Sequence, residues 1–345
     1  MIEVLLGPWP ITLSVGVFVA AAAATVVGAI RMAGLGDTLA DRTGWGEAIF
    51  GAVFFGAASS LSGIVITAVA AADSNPTLAY SNAVGGIAAQ TLAIAVADLF
   101  YRRGNLEHAA ASLSNILFGC LLIAMLTLVV LAAYLPPVTV AAIHPMSILL
   151  VAVYVGGLLL IQRNGSRPMW KAVKTRGTLL DQPAEEDDDG RSTRAVWIEF
   201  VVIGAAVSTG GAVLALAADG IIEATGLTAG FVGAILLGVV NALPETVTAI
   251  TAVRRGALTL AIGAILGGNA FDALNVAIGD TFYRGGSLYH QAGPDELFLT
   301  LASSLMTVVV VAGLLVRQTR GPGRVGFEGI ALVMTYAAII AVLSV

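Results

Sequence analysis

The chain has 345 residues and a formal net charge of −5. Hydrophobic residues make up 58% of it, charged residues only 11%, and the mean hydropathy is +0.92. This composition leaves too little polar surface for a water-soluble globule, so we predict a protein whose partner is the lipid bilayer. No basic patch interleaved with aromatic residues is present, which excludes nucleic acid as an expected partner.

Apolar segments recur along the chain, each about as long as a helix that crosses the hydrocarbon core of a membrane. The predicted fold class is therefore an all-α membrane protein with ten transmembrane helices. The only cysteine, Cys120, lies in the fourth span, which excludes an intrachain disulfide, and we expect its side chain to be buried. The predicted spans are 10–30, 46–72, 77–100, 108–134, 138–162, 195–218, 229–253, 257–282, 294–316 and 325–345.

Basic residues are distributed very unevenly between the two sides of this predicted topology. Of the 17 Lys and Arg residues, 16 fall on one side and only Arg284 on the other. By the positive-inside rule, the Arg-rich side is cytoplasmic and both termini lie outside, in a multi-pass protein of the plasma membrane. The polar segment 163–194, which contains an acidic run at 185–189, becomes a cytoplasmic linker.

The sequence contains an internal repeat. An offset of 182 aligns 34–108 with 216–290 at 24 identities in 75 positions, and it pairs Asp98 with Asp280. Matching helices are five spans apart, so the two five-helix halves, 1–162 and 195–345, have inverted topologies. Such repeats are typical of secondary transporters, although channels and scramblases can also contain them.

Two carboxyl groups lie near the middle of predicted spans in the second half. Pro244 has no N–H and predicts a helix break that frees backbone carbonyls, and Glu245 follows it directly. Asp272 follows Gly267 and Gly268, which we predict to permit close helix packing. Ionisable groups at this depth are costly, so they indicate function; the alternative is that both are neutral and only hold helices together.

The first half supplies no matching carboxyl group. By the repeat offset, Glu245 corresponds to Gly63, a second predicted helix break, and Asp272 corresponds to Gln90. Gly85 and Gly86 match the glycines before Asp272 and are also predicted to allow close packing. Hard cations take oxygen ligands, so both the carboxylates and the polar residues around them are candidates. The predicted cation-binding residues are Glu245, Asp272, Ser59, Ser60, Gln90 and Asn241, with Glu245 and Asp272 as the metal ligands.

These motifs resemble the calcium/cation antiporter superfamily, that is, the membrane domain of sodium/calcium exchangers. The resemblance covers almost the whole chain and rests on Leu243-Pro244-Glu245, on Gly-Gly-Asn-Ala-Phe-Asp at 267–272, and on the 27-residue spacing from Glu245 to Asp272. It implies exchange of Ca²⁺ or a related cation for Na⁺ or H⁺ by alternating access, with no cofactor. The chain departs from the family pattern at Ser62-Gly63, where the family has Pro-Glu, and at Asn241-Ala242, where it has a Ser/Thr pair.

Other functions stay open at this point. With one central glutamate missing, the chain could be a proton-coupled transporter of a monovalent cation or of another divalent metal, or a divergent homologue with a different substrate. An enzyme is not predicted, because the sequence has no Ser-His-Asp set, metal-binding histidine motif or phosphate loop. Asp98 and Asp280 end their spans, and we expect them to pair with Arg102 and Arg284.

Overall fold

A computed structural model describes residues 9–43, 60–101, 104–140, 142–165, 170–173, 191–319, 321 and 326–344. Within these ranges the chain is helical, and the only β pairing is an isolated bridge between Val140 and Ile143. The helices are α1 (Ile11–Thr43), α2 (Leu61–Ala72), α3 (Pro76–Phe100), α4 (Leu106–Ala109), α5 (Leu113–Ala132), α6 (Pro145–Gly165), α7 (Thr193–Thr225), α8 (Ala229–Phe231), a π-helix (Val232–Leu237), α9 (Gly238–Arg255), α10 (Leu258–Asp272), α11 (Leu274–Phe282), a 3₁₀-helix (Leu288–Gln291), α12 (Pro294–Val316) and α13 (Phe327–Leu343).

Among the described residues, eight stretches of helix are long and apolar enough to cross a membrane, so the chain is a multi-pass membrane protein. They fall in eight of the ten predicted spans. Two shorter apolar helices, Leu61–Ala72 and Phe327–Leu343, lie in the remaining two. The count of ten stays a prediction, because 44–59, which would begin the second span, is outside the described residues.

Local sequence signals set where several helices begin and end. Pro76 occupies the first turn of α3, and the Asn75 side chain accepts a hydrogen bond from the Leu78 N–H at 3.2 Å. At the other end of a helix, Gly226 stops α7 with φ +72° and Gly256 stops α9 with φ +84°. This left-handed conformation costs glycine little.

Burial divides the spans into an inner and an outer set. In their most apolar windows, 78% of residues are buried in the span Pro76–Phe100 and 72% in Leu258–Phe282, but only 17% in Ile11–Met32. The inner set therefore contains the segments that carry Gln90 and Asp272. The expectation that Cys120 is buried is wrong, because its side chain is exposed on the surface of α5; a thiol is apolar enough to face lipid.

Candidate cation-binding site

A small cavity lies between the inner helices, where α2, α3, α9, α10 and α11 meet. It has room for little more than one water-sized sphere. Its lining is mostly polar although the surrounding helices are apolar. The lining residues are Ser60, Gly63, Asn82, Ala83, Gly86, Gln90, Asn241, Asp272 and Asn275.

Asp272, the last residue of α10, supplies a carboxylate to this cavity and is only 4% exposed. The Gln90 Nε2 donates to Asp272 Oδ2 at 2.9 Å, and the Asn275 Nδ2 donates to Asp272 Oδ1 at 3.4 Å. Both donors are amides, which neutralise no charge. The carboxylate therefore lies deep in the protein with hydrogen bonds but without a cationic side chain among these contacts.

Two further oxygen atoms on the cavity wall, Gln90 Oε1 and Asn275 Oδ1, are buried without a hydrogen-bond donor. The Ser60 hydroxyl is itself a donor to the Asp272 carboxylate. Because Gln90 and Asn275 use their N–H groups on Asp272, their amide oxygens remain as acceptors. A buried acceptor with no donor costs about 1 to 3 kcal/mol. A cation is the type of ligand that would satisfy both such oxygens together with a carboxylate.

A second group of amides closes the opposite wall of the cavity. Asn241 Nδ2 donates to Asn82 Oδ1 at 3.0 Å, and Ser62 Oγ donates to Asn241 Oδ1 at 3.3 Å. Asn82 Nδ2 in turn donates to Thr67 Oγ1 at 2.9 Å and to the Gly63 carbonyl at 3.1 Å. These bonds fix both asparagine side chains in place and join α2, α3 and α9 around the cavity.

Glu245 is buried, with 3% of its surface exposed, and follows Asn241 by about one turn of α9. Among the described residues, the cavity lining includes Asn241 but not Glu245. The structure thus brings Ser60, Gln90, Asn241 and Asp272 together and places Glu245 on the adjoining turn. Ser59 lies outside the described residues.

The predicted helix break at Pro244 is not where the irregularity of the described backbone lies, and the break predicted at Gly63 stays a prediction because 44–59 is outside the described residues. Helix α9 runs through Pro244 to Arg255, and α2 contains Gly63 as its third residue. A proline removes only its own N–H bond, and packing of α9 against α3 and α10 holds the turns around it. The irregular backbone is instead the π-helix Val232–Leu237, which directly precedes α9.

Of the four glycines predicted to permit close packing, Gly85 is the one at which an added Cβ would clash with a described backbone. A Cβ at Gly85 would lie 2.3 Å from the Cα of Ala234, a residue of the π-helix. At Gly86 and Gly267 the nearest described contacts are ordinary, at 3.9 Å and 3.6 Å, and Gly268 has no described neighbour within 4 Å. The four glycines differ because the backbone of the π turn approaches α3 at Gly85, whereas an added Cβ at the other three positions would meet only ordinary contacts or none among the described residues.

Two site residues, Asn82 and Asn275, were not predicted from the sequence. Asn275 could have been found, because it follows Asp272 by three residues and so lies on the same helical face. Asn82 could not, since its repeat-related position is occupied by an alanine, Ala264. Both residues are amides, whereas the predicted site residues were carboxylates and the polar residues that the repeat pairs with them.

The predicted pairing of Asp280 with Arg284 is wrong. Asp280 accepts hydrogen bonds from the backbone N–H of Leu288 at 2.9 Å and of His144 at 2.8 Å, and from Ser147 Oγ at 2.8 Å. Backbone amides need no side-chain ordering, so they outcompete a flexible surface arginine for this buried acid. Asp98 likewise accepts from the Leu106 N–H at 2.7 Å; Arg102 is outside the described residues.

In the part of the chain that the structure describes, no group of three His, Cys, Asp or Glu side chains could hold a metal ion. A cation beside Asp272 would therefore depend on neutral oxygens as well. Amide, hydroxyl and backbone oxygens suit Na⁺ and Ca²⁺ better than the softer transition metals.

Solved structures of exchangers share this fold. The sodium-calcium exchanger NCX_Mj is 18% identical, with 96% of this chain and 99% of that chain covered at a TM-score of 0.58. YfkE is 17% identical, with 99% and 95% covered and a TM-score of 0.63. The H⁺/Ca²⁺ exchanger CAX is 11% identical, with 96% and 84% covered and a TM-score of 0.67.

Comparison of the sequence with known families identifies the family of the chain. No curated protein matches it by sequence. The sequence model described as "Sodium/calcium exchanger protein" matches residues 13–162 and 195–345, which is most of both halves. The chain therefore belongs to the sodium/calcium exchanger protein family.

Proposed function

We propose that the protein is a secondary active cation antiporter that binds its transported cation in the cavity beside Asp272. The observation that carries this proposal is the pair of buried amide oxygens without donors, Gln90 Oε1 and Asn275 Oδ1, on the wall that also holds the carboxylate. Protein donors leave these acceptors unsatisfied, and a bare cation would complete their coordination.

The leading cargo is Ca²⁺ or a related hard cation, exchanged for Na⁺ or H⁺. Two ionised carboxylates would balance a divalent ion in a medium of low dielectric, and Asp272 and Glu245 are both buried in adjoining parts of the site. In this proposal Glu245 becomes a ligand when α9 shifts during transport. The family membership and the exchanger names of the structural neighbours support the same cargo.

A second candidate cargo is a monovalent cation, moved in exchange for protons. It is favoured by the cavity wall itself, where Asp272 is the only carboxylate among the nine described lining residues. One negative charge balances one monovalent ion, and a proton can replace that ion on the same carboxylate.

Alternating access follows from two inverted halves, and two sets of contacts support that arrangement. The residues of the pair Gln90 and Asp272 are 182 positions apart, the repeat offset, and they bond directly. The bond from the Leu106 N–H to Asp98 is repeated 182 positions later between Leu288 and Asp280. These contacts are the kind that a pair of inverted repeats predicts.

Flux into liposomes containing the purified protein tests the proposal. With Na⁺ or H⁺ gradients imposed, we expect wild-type protein to exchange Ca²⁺ or a monovalent cation. Asp272→Asn keeps the shape of the side chain but removes its charge, so flux should fall at least about tenfold, equivalent to about 1.4 kcal/mol of lost binding. Asp73→Asn, which alters an exposed acid beyond the end of α2, is the matched control and should transport normally.

The cargo is decided by a second arm of this experiment. Glu245→Gln should abolish Ca²⁺ exchange if both carboxylates coordinate a divalent ion, and should leave a monovalent cation/H⁺ exchange largely intact if Asp272 acts alone. Cation flux that survives in both Asp272→Asn and Glu245→Gln would contradict the proposed site.

A further inference from the structure

Three buried carboxyl groups meet at a place separate from the transport cavity, where the end of α3, helix α4 and the start of α13 come together. We call Asp98, Glu107 and Glu328 the acid cluster. Their exposed fractions are 3%, 1% and 1%. Asn105, which is also buried, lies among them: its Nδ2 donates to Glu328 Oε1, and its Oδ1 accepts from the Glu107 N–H at 2.8 Å.

Hydrogen-bond donors in the acid cluster are too few for three carboxylates. Asp98 accepts from the backbone N–H groups of Leu106 and Gly326. Glu328 accepts on one oxygen only, because its Oε2 has no donor, and neither carboxyl oxygen of Glu107 has one. The Glu107 and Glu328 carboxyl groups nevertheless face each other. Two acceptors cannot bond to each other unless a proton lies between them.

Among the described residues, no cationic side chain forms an ion pair with Glu107 or Glu328. Helices α10 and α12 pack against α4, but their stretches 258–271 and 297–316 contain no charged residue. His108, next to Glu107, donates from its Nδ1–H to the Arg317 carbonyl at 2.6 Å. The Arg317 guanidinium donates to the His108 carbonyl at 2.9 Å and to the Val173 carbonyl at 2.7 Å. Burial raises the pKa of Glu107, and the charges of Glu328 and Asp98 raise it further.

The repeat-related place in the second half shows that the fold does not need these acids. Asp280 corresponds to Asp98 and has three donors, as described above. Tyr289 takes the position of Glu107, and its hydroxyl bonds with Ser147 at 2.9 Å. Met146 takes the position of Glu328. One carboxylate with neutral partners is enough there, so the additional pair of acids in the first half calls for its own explanation.

We propose that Glu107 and Glu328 form a proton-binding site that holds one proton between their carboxyl groups and thereby docks α13 against α3 and α4. With the proton present, one carboxyl donates to the other. When it is lost, two negative charges face each other in a buried space, and the start of α13 separates from α4. Because the folded-state pKa of Glu107 lies above its ordinary value, the docking is complete at acidic pH and is lost as pH rises through that raised pKa.

Infrared spectroscopy of the reconstituted full-length protein tests the shared proton directly. Near neutral pH, the wild-type spectrum should contain the C=O stretch of a protonated carboxyl group, and Glu107→Gln should lose that component. Glu296→Gln is the matched control, because the two Glu296 oxygens already accept hydrogen bonds from Gly293 N–H at 2.8 Å and Ser81 Oγ at 3.4 Å. A Glu107→Gln spectrum that keeps the whole component would overturn the proposal.

Hydrogen exchange measures the docking. After correction for the intrinsic pH dependence, amides at 326–332 in wild-type protein should lose protection by up to about tenfold per pH unit between the ordinary and the raised pKa of Glu107, and the loss should level off above the raised pKa. In Glu107→Gln the loss should be absent, since a neutral amide stands in place of the titrating group. Protection that is independent of pH in the wild type, or that falls equally in the variant, would contradict the docking role. If Glu107→Gln fails to fold, Glu328→Gln provides the same comparison.

Discussion

At the scale of single residues, the first half of the chain places a glycine where a second carboxylate would complete the cavity. A Cβ on Gly63 would lie 3.2 Å from Asn241 Nδ2, so a longer side chain there needs the asparagine to give way. The double variant Gly63→Glu with Asn241→Ala provides that space. We expect it to bind Ca²⁺ at least about tenfold more tightly than wild type, because an added charge near a divalent ion is worth more than 1.4 kcal/mol.

Calcium binding by isothermal titration calorimetry checks this prediction. The control is Gly63→Gln in the same Asn241→Ala background, which has nearly the same size and no charge. An equal gain in both double variants would mean that space or flexibility, and not charge, limits binding, and the electrostatic account of the cavity would then be wrong.

The residues of the cavity also show how far sequence reasoning extends. Asp272 and Gln90 were predicted because an intramembrane acid is costly and because the repeat offset pairs the two. Glu245 was predicted because it is also an intramembrane acid. Its predicted depth does not determine whether its side chain lines this cavity or lies on the adjoining turn of α9. Which side chains face each other depends on helix rotation and on the π turn before α9, and a single sequence determines neither.

At the scale of helices, the π-helix Val232–Leu237 and helix α3 approach each other backbone to backbone. Gly85 makes this possible, since its added Cβ would lie 2.3 Å from Ala234 Cα and 2.5 Å from the Ala234 carbonyl oxygen. Gly85→Ala should therefore destabilise the protein by about 1 to 3 kcal/mol, although alanine has the higher helix propensity. The expected result is a lower thermal unfolding midpoint in detergent.

Gly268→Ala is the control for this packing prediction. It lies inside α10 and has no described neighbour within 4 Å, so propensity should dominate and the midpoint should stay or rise. Equal unfolding midpoints for Gly85→Ala and wild type would show that α3 and the π-helix can move apart freely, which would contradict the close contact.

The positions of the membrane spans could be predicted from the sequence, but the ends of the helices and the π-helix could not. The positions of the spans follow from apolar length, which is why eight of them coincide with long helices. Their ends follow from backbone signals instead: α7 continues seven residues past the predicted end at 218 and stops only at Gly226. The π-helix has no comparable sequence signal, because what distinguishes it is its close packing against α3 at Gly85 and at 78–82.

At the scale of the whole molecule, the bonds between distant loops agree with the predicted sides of the membrane. The described bonds named next each join two segments that the distribution of Arg and Lys puts on the same side. On the Arg-rich side these are Arg31 to Glu199, Arg42 to the Arg191 carbonyl and Arg317 to the His108 carbonyl; on the other side they are Asn75 to Asp219 and His290 to the Leu135 carbonyl.

The absolute orientation can be tested with single cysteines, because Cys120 is the only native one. In a Cys120→Ser background we choose Tyr134 and Val173, which are both 75% exposed and lie on opposite predicted sides. Positive charge is retained in the cytoplasm during insertion, so the Arg-rich linker that contains Val173 should be inside. In intact cells a membrane-impermeant maleimide should label Tyr134→Cys and spare Val173→Cys, and both should react once the membrane is permeabilised. The reverse pattern would place both termini in the cytoplasm, and with them it would move the acid cluster to the outer face, where it would respond to external instead of internal pH.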